Sequence, residues 1–175
     1  LQDYPQTLSL SAHMHTQRHH FFYESEGWLQ DNPHHHFNVG TTSGNWWLGE
    51  LDENGLPDAT MQDGTPVGYA TITFKGNEYE IDYYASGAPK DYKMNIYAPK
   101  VVPHGKNFRG ELYVNFFNGS ERCKLQFRVN NGDWIDIRKV IEPDPSYFAI
   151  THKWDMSEEL LSGDRPLNPV NSMHL

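Results

Sequence analysis

Short stretches of alternating apolar and polar residues, separated by turn-forming residues, dominate the chain from residue 69 onward. Residues 69–74 and 79–84 flank Gly76-Asn77, a dipeptide that suits a tight hairpin because both residues tolerate positive φ. Similar stretches predict further strands at 93–97, 112–116, 123–129, 134–137 and 148–154. Strands of this length and spacing favour a mainly β chain, an antiparallel β-sandwich with long ordered loops and little helix.

The alternation also predicts which side chains form the core between two sheets. They are Leu112, Val114, Phe116, Leu125, Phe127, Val129, Phe148 and Ile150. The one predicted helical segment is 157–161, with Ser157 as its N-cap and acidic residues in its first turn.

The N-terminal region has a different character. Residues 8–12 alternate as a half-buried strand does and lead directly into His13-Met14-His15. A lone strand cannot satisfy its backbone groups, so we expect this one to pair with a second copy of the protein or with residues 17–40 of its own chain. Residues 40–66 are rich in Gly, Asn, Asp and Pro and predict long ordered loops.

Composition excludes several functional classes. Lys and Arg total 14 against 23 Asp and Glu, a formal net charge of −9, which disfavours nucleic acid as a partner because phosphate contacts need a cationic face. No apolar run approaches the roughly 20 residues of a membrane span. Cys123 is the single cysteine, so an intrachain disulfide framework is excluded.

Histidine and tryptophan supply the candidate functional residues. Seven of the ten histidines precede residue 37, and imidazole is a common metal ligand. His13 and His15 could reach one metal or two, or could lie close together in the sequence by chance.

Within His34-His35-His36, neighbours in a strand point to opposite faces, so at most one or two of the three act together. His35, His36, Trp46 and Trp47 are candidates for a site or a domain interface; the Trp pair could stack on a sugar or a base, or fill an interface.

Several sequence blocks resemble the calcineurin-like metallophosphoesterases. Residues 11–15 resemble the Gly-His-x-His motif that closes that family's active site, with Ala12 where the family usually has Gly. The blocks that resemble the family's C-terminal domain and the junction to it lie at 34–36, 44–47, 63–69, 114–120, 132–134, 142–145, 157–161 and 165–169.

The resemblance implies a two-metal phosphoesterase in which His13 and His15 each give one ligand to a metal. The family's Asp-x-His, Gly-Asp-x-x-Asp and Gly-Asn-His-Asp/Glu motifs, which lie upstream of its closing motif, do not occur before residues 11–15 in this sequence. We therefore expect residues 1–37 to be the end of a catalytic domain and residues 38–175 to be an accessory β-sandwich.

This interpretation carries further expectations. The chain alone should not be catalytically competent, its partner should be the parent's catalytic domain, and the two divalent metal ions should bind the intact parent but not this chain tightly. A homodimer through the N-terminal segment is a further candidate partner. The alternative function is a stand-alone aromatic-rich module that binds a glycan or a cell-envelope component. The cellular location stays open, since an extracytoplasmic site is suggested only by the resemblance.

Overall fold

The computed structural model describes residues 1–105 and 110–174. Strands are short throughout, and one α-helix and one 3-10 turn accompany them in the described part. The elements are β1 Leu8–Ser11, β2 Arg18–Phe22, a 3-10 turn Glu24–Glu26, β3 His34–Asn38, β4 Gly49–Glu50, β5 Gly68–Lys75, β6 Glu78–Ala85, β7 Met94–Tyr97, β8 Tyr113–Phe116, β9 Gln126–Phe127, β10 Ile135–Asp136, β11 Val140–Pro143, α1 Pro145–Met156, β12 Gly163–Asp164 and β13 Asn171–His174. The expected mainly β class with little helix is confirmed.

The described strands form small sheets. One has three strands, and the others are the antiparallel pairs β5–β6, β7–β8, β9–β10, β11–β13 and β4–β12. The longest pair is the predicted hairpin, whose turn places Gly76 at φ +64°. That left-handed conformation explains the glycine at the turn. The packing of these sheets as two layers of a sandwich stays a prediction.

The N-terminal segment pairs within its own chain. β1 runs parallel to β3, with Leu8 opposite His35 and Ser11 opposite Asn38. β2 lies antiparallel on the other side of β3, so the order is β1-β3-β2. This confirms the own-chain pairing expected for residues 8–12, and adds a parallel pair to an otherwise antiparallel set.

The core is centred on different apolar residues from those that the alternation predicts. Met61, Tyr83 and Phe117 pack together. Phe37 is buried in β3, the middle strand of the three-stranded N-terminal sheet β1-β3-β2. Of the eight predicted core residues Val114 is buried, whereas Val129 is 66 % exposed and Leu112 and Phe148 are also exposed. The prediction was wrong at Val129 because β9 ends at Phe127 and is too short to hold a long alternating face against the core. Leu112 precedes β8, and Phe148 belongs to α1.

The predicted strand at 148–154 is wrong, because these residues belong to α1. The Asp144 side chain accepts a hydrogen bond from the Tyr147 backbone N–H at 2.9 Å, and Pro145 opens the helix. A capping Asp followed by Pro is a strong helix start. Tyr147 and Thr151, one helical turn apart, are the buried residues of this helix. The predicted helix at 157–161 is also wrong, since Ser157 follows the last residue of α1 and no helix continues from it.

Among the described residues, no helix combines the length and apolarity that crossing a bilayer requires.

Candidate functional site

The His-x-His pair lies in the loop between β1 and β2, against the indole of Trp46. The His15 ring stacks on that indole with a centroid separation of 3.7 Å and an interplanar angle of 11°. The His13 ring meets the same indole edge-on at 6.2 Å. His13 is exposed, whereas only 9 % of His15 is accessible. Trp46 thus brings the two predicted ligand residues together around one aromatic ring.

His15 is also fixed by the backbone of the loop that carries Trp46. Its Nδ1 hydrogen-bonds the Gly44 carbonyl oxygen at 2.5 Å. Gly44 has φ +48°, and a Cβ there would lie 1.7 Å from the Ala59 carbonyl oxygen. Glycine is therefore required at position 44 for the two loops to approach this closely.

Backbone strain is concentrated in the same place. Six described residues other than glycine have positive φ, and five of them belong to this cluster: His13, His15, Trp46, Trp47 and Ala59. Such conformations cost free energy and persist where the surroundings fix them, which is typical of functional sites. The strain therefore marks this cluster as the leading candidate site.

Gln17, just after the histidine pair, ties the loop to the rest of the fold. Its backbone N–H donates to Asp63 Oδ2 at 2.6 Å, and its side-chain amide donates to the Phe117 carbonyl at 2.9 Å. Its Oε1 accepts from the Gly40 N–H at 3.1 Å. Sequence reasoning missed Gln17 and the role of Asp63. Asp63 lies in the predicted loop stretch 40–66, but no sequence pattern indicates its contact with Gln17.

A buried polar network continues from Asp63 to α1. The Asn115 amide donates to the Asp63 backbone carbonyl at 2.8 Å and to Asp144 Oδ2 at 3.1 Å. Thr16, Gln17, Asp63, Asn115 and Ser172 line part of a cavity of about 150 Å³ beside it. Asn115 therefore links Asp63, which holds the loop of the histidine pair, to Asp144, which caps α1.

The three consecutive histidines point alternately to the two faces of the N-terminal sheet. On one face, Ser9 Oγ hydrogen-bonds His34 Nε2 at 2.8 Å and His36 Nδ1 at 2.7 Å. Ser11 Oγ adds a bond to His36 Nε2 at 2.9 Å. His36 is thus held by two serines of β1.

His35 lies on the opposite face, between the N-terminal sheet and the β5–β6 hairpin. Its Nδ1 hydrogen-bonds the Tyr79 hydroxyl at 2.6 Å, and its Nε2 bonds His19 Nδ1 at 2.9 Å. Burial, with neighbouring His19 and Arg122, lowers the pKa of His35 to about 4. Burial also lowers the pKa of His19. The contact between the N-terminal sheet and the β5–β6 hairpin therefore contains two neutral imidazoles, those of His19 and His35.

Acidification should weaken the fold through His35. Between its usual pKa of about 6.5 and the folded value of about 4, the unfolded chain binds a proton that the folded chain does not. The free energy of unfolding should therefore fall as the pH drops through this window, by roughly 1–2 kcal/mol after allowance for solvent screening. Urea unfolding at a series of pH values measures this slope.

The matched variants are His35→Phe and His152→Gln. The first keeps a ring against Tyr79 and should flatten the slope, whereas the second changes an exposed histidine of α1 and should leave it unchanged. Equal slopes in wild type and His35→Phe would show that His35 does not cause the acid sensitivity.

Metal-binding capacity is limited in the described part of the chain. Residues 1–105 and 110–174 contain no group of three or more His, Cys, Asp or Glu side chains placed to hold a metal ion. His13 and His15 are chemically suitable donors, and they contribute two imidazoles. A two-metal centre needs more ligands than these.

Comparison with known proteins identifies the family. A family model described as the C terminal of calcineurin-like phosphoesterase matches residues 36–175. No curated protein and no solved structure matches the chain. The matched segment contains Gly44, Trp46 and Asp63, which hold the histidine loop, as well as α1. The chain therefore belongs to the calcineurin-like phosphoesterase family and contains that family's C-terminal domain.

Proposed function

We propose that this chain is the accessory segment of a dimetal phosphoesterase and carries the loop that closes the parent's metal centre. Residues 1–37 are the end of the catalytic domain, and residues 38–175 are the accessory domain. The family match carries the proposal. The packing of His15 on Trp46 supports it, because a residue of the matched segment contacts the proposed ligand directly.

In this proposal His13 and His15 would each hold one of two divalent cations. Bound cations would supply Lewis-acid stabilisation of the phosphoryl oxygens during ester hydrolysis. The chain's own residues place the two imidazoles: Gly44 and Trp46 hold His15, and the edge of Trp46 meets His13. Gln17 and Asp63 hold the backbone that follows.

The remaining ligands would come from the parent's catalytic domain, which is the proposed partner. The family's Asp-, Asn- and further His-containing ligand motifs do not precede His13 in this sequence. Residues 132–136 match Gly-Asp-x-x-Asp, but they follow the histidine pair, and Asp133 and Asp136 are both exposed. Two imidazoles alone do not hold two metals in a catalytic geometry, so this chain by itself should neither bind them tightly nor hydrolyse phosphoesters.

The chain alone should show no metal-dependent hydrolysis above background. The assay uses p-nitrophenyl phosphate and bis-p-nitrophenyl phosphate with Mn²⁺, Zn²⁺ or Fe²⁺. A contaminating phosphatase would give the same rate in the His13→Ala/His15→Ala double variant. Turnover that disappears in that double variant would contradict the proposed inactivity.

The edge of β1 is the proposed attachment point for the catalytic domain. Within the described residues β1 is an outer strand of its sheet, and Leu10 beside that edge is exposed. Unpaired strand edges recruit further strands. The alternative is that a second copy of the protein pairs with the same edge and forms a homodimer. A sedimentation coefficient that falls on dilution would favour the homodimer. A monomer at every concentration would favour attachment of the catalytic domain.

A second candidate function is binding of a glycan or a cell-envelope component. The observation in its favour is that Trp46 and Trp47 are 49 % and 56 % exposed, since solvent-facing tryptophans can stack on ring-bearing ligands. Glycan-array binding that is lost in Trp47→Ala and kept in His13→Ala would support this function. If the chain binds no glycan on the array, this second function is rejected and the phosphoesterase proposal remains.

A further inference from the structure

We propose that Trp46 and the Gly44 carbonyl are positioning elements for His15, so that the accessory domain sets the geometry of a metal ligand. They hold the imidazole in the tautomer with hydrogen on Nδ1 and leave Nε2 as the nitrogen with a free lone pair. The inference rests on the proposed function for the identity of the ligand, but the tautomer and the stacking can be tested without a metal.

The tautomer follows from the hydrogen bond. A backbone carbonyl oxygen only accepts, so the 2.5 Å contact between His15 Nδ1 and the Gly44 oxygen requires the hydrogen on Nδ1. In a neutral imidazole Nε2 then has no hydrogen and can donate its lone pair to a cation. Metal-bound histidines commonly have their other nitrogen fixed in this way, by a carbonyl or a carboxylate.

Stacking fixes the plane of the ring. At 3.7 Å and 11°, the Trp46 indole covers one face of the imidazole, and rotation about the side-chain bonds would break this contact. The Trp46 backbone N–H also lies 3.0 Å from the Gly44 oxygen. One short segment therefore supplies both the acceptor and the stacking surface.

That segment is fastened to the accessory domain. Asn45 is fully buried, its backbone N–H donates to the Ala59 carbonyl at 2.8 Å, and its side-chain amide donates to the Tyr147 hydroxyl. The Tyr147 hydroxyl in turn donates to the Leu167 carbonyl at 2.7 Å. Contacts therefore run from α1 through Asn45 to the two groups that hold His15. The positive φ values of His15 and Trp46 show that this arrangement is maintained against backbone preference.

The experiment reads the His15 tautomer by long-range nitrogen–proton correlation in the labelled 175-residue chain, at about pH 8 where a histidine is neutral. Wild type should show hydrogen on Nδ1. Trp46→Phe keeps a stacking ring and should retain this form. Trp46→Leu keeps bulk without an aromatic face and should give a mixture with the Nε2–H form. Trp134→Ala, a change at an exposed tryptophan outside this cluster, is the control and should behave as wild type.

Titration with Zn²⁺ alone gives the second readout. Trp46→Leu should weaken zinc binding at His15 by about 10-fold or more, as loss of an outer-shell partner does elsewhere. An Nε2–H form in wild type, or the same tautomer in wild type and Trp46→Leu, overturns the inference. If the tautomers behave as expected but His13→Ala/His15→Ala leaves hydrolysis by the complete polypeptide unchanged, the positioning stands and the proposed function fails. If zinc binds both histidines equally well in wild type and Trp46→Leu, the proposed function stands and the positioning fails.

Discussion

Replacing Tyr147 by alanine is expected to lower the free energy of unfolding by roughly 4–6 kcal/mol. Tyr147 is 1 % exposed, and its hydroxyl accepts from the Asn45 amide and donates to the Leu167 carbonyl. Truncation would leave a cavity and remove a partner from buried polar groups. A loss of this size is comparable with the whole stability of many domains, so urea or thermal unfolding should show a chain that is largely unfolded at room temperature.

Two variants separate the causes of that loss. Tyr147→Phe removes only the hydroxyl and should cost about 1–3 kcal/mol, the usual effect of leaving buried partners unsatisfied. Phe148→Ala, one residue along the same helix, should cost less than about 1 kcal/mol because Phe148 is 55 % exposed. Equal losses at positions 147 and 148 would contradict the helical facing of α1.

Removing both proposed metal ligands should have the largest effect on activity. In the complete polypeptide, with the catalytic domain present, His13→Ala/His15→Ala should lower the rate of phosphoester hydrolysis by at least about 100-fold. Loss of outer-shell partners alone already costs 10–100-fold, and these residues are proposed as ligands themselves. The rate is measured with saturating divalent metal so that reduced affinity does not hide a residual activity.

His104→Ala is the control for that measurement, because His104 is exposed and lies in a turn of the accessory domain. It should retain the wild-type rate. A double variant at His13 and His15 that also retains the wild-type rate would remove the reason for placing this loop at the metal centre.

The β5–β6 hairpin could be predicted from the sequence because its determinants are local. Two alternating stretches flank a turn in which Gly76 adopts positive φ, and the pairing register follows from the turn. The pairing of residues 8–12 with residues 34–38 could be predicted only as one of two options. Alternation shows that a strand needs a partner but does not show which strand supplies it.

The error at α1 has a physical cause. Phe148, Ile150, His152 and Trp154 alternate as a strand does, and the strand prediction rests on this period alone. In the structure the cap determines the local conformation, and Tyr147 and Thr151 provide the buried face at helical spacing. Two residues one turn apart are a weak periodic signal, so the capping residues were the better guide.

The proposed ligands could be named from the sequence, but the contacts that hold them could not. His13 and His15 stand out because their spacing resembles a family motif. The contacts that hold them join residues far apart in sequence, such as Gln17 with Phe117 and His15 with Gly44. No periodicity or turn rule specifies which loops meet, and Trp46 could be identified only as a candidate for stacking or for an interface.

Metal content tests the central claim most directly: that the His13–His15 loop completes a two-metal centre together with a catalytic domain outside this segment. Elemental analysis should find about two divalent ions per complete polypeptide, a clear loss of metal in its His13→Ala/His15→Ala variant, and no stoichiometric metal on the 175-residue chain alone after desalting. A double variant that keeps both ions, or a 175-residue chain that retains stoichiometric metal by itself, would contradict the account.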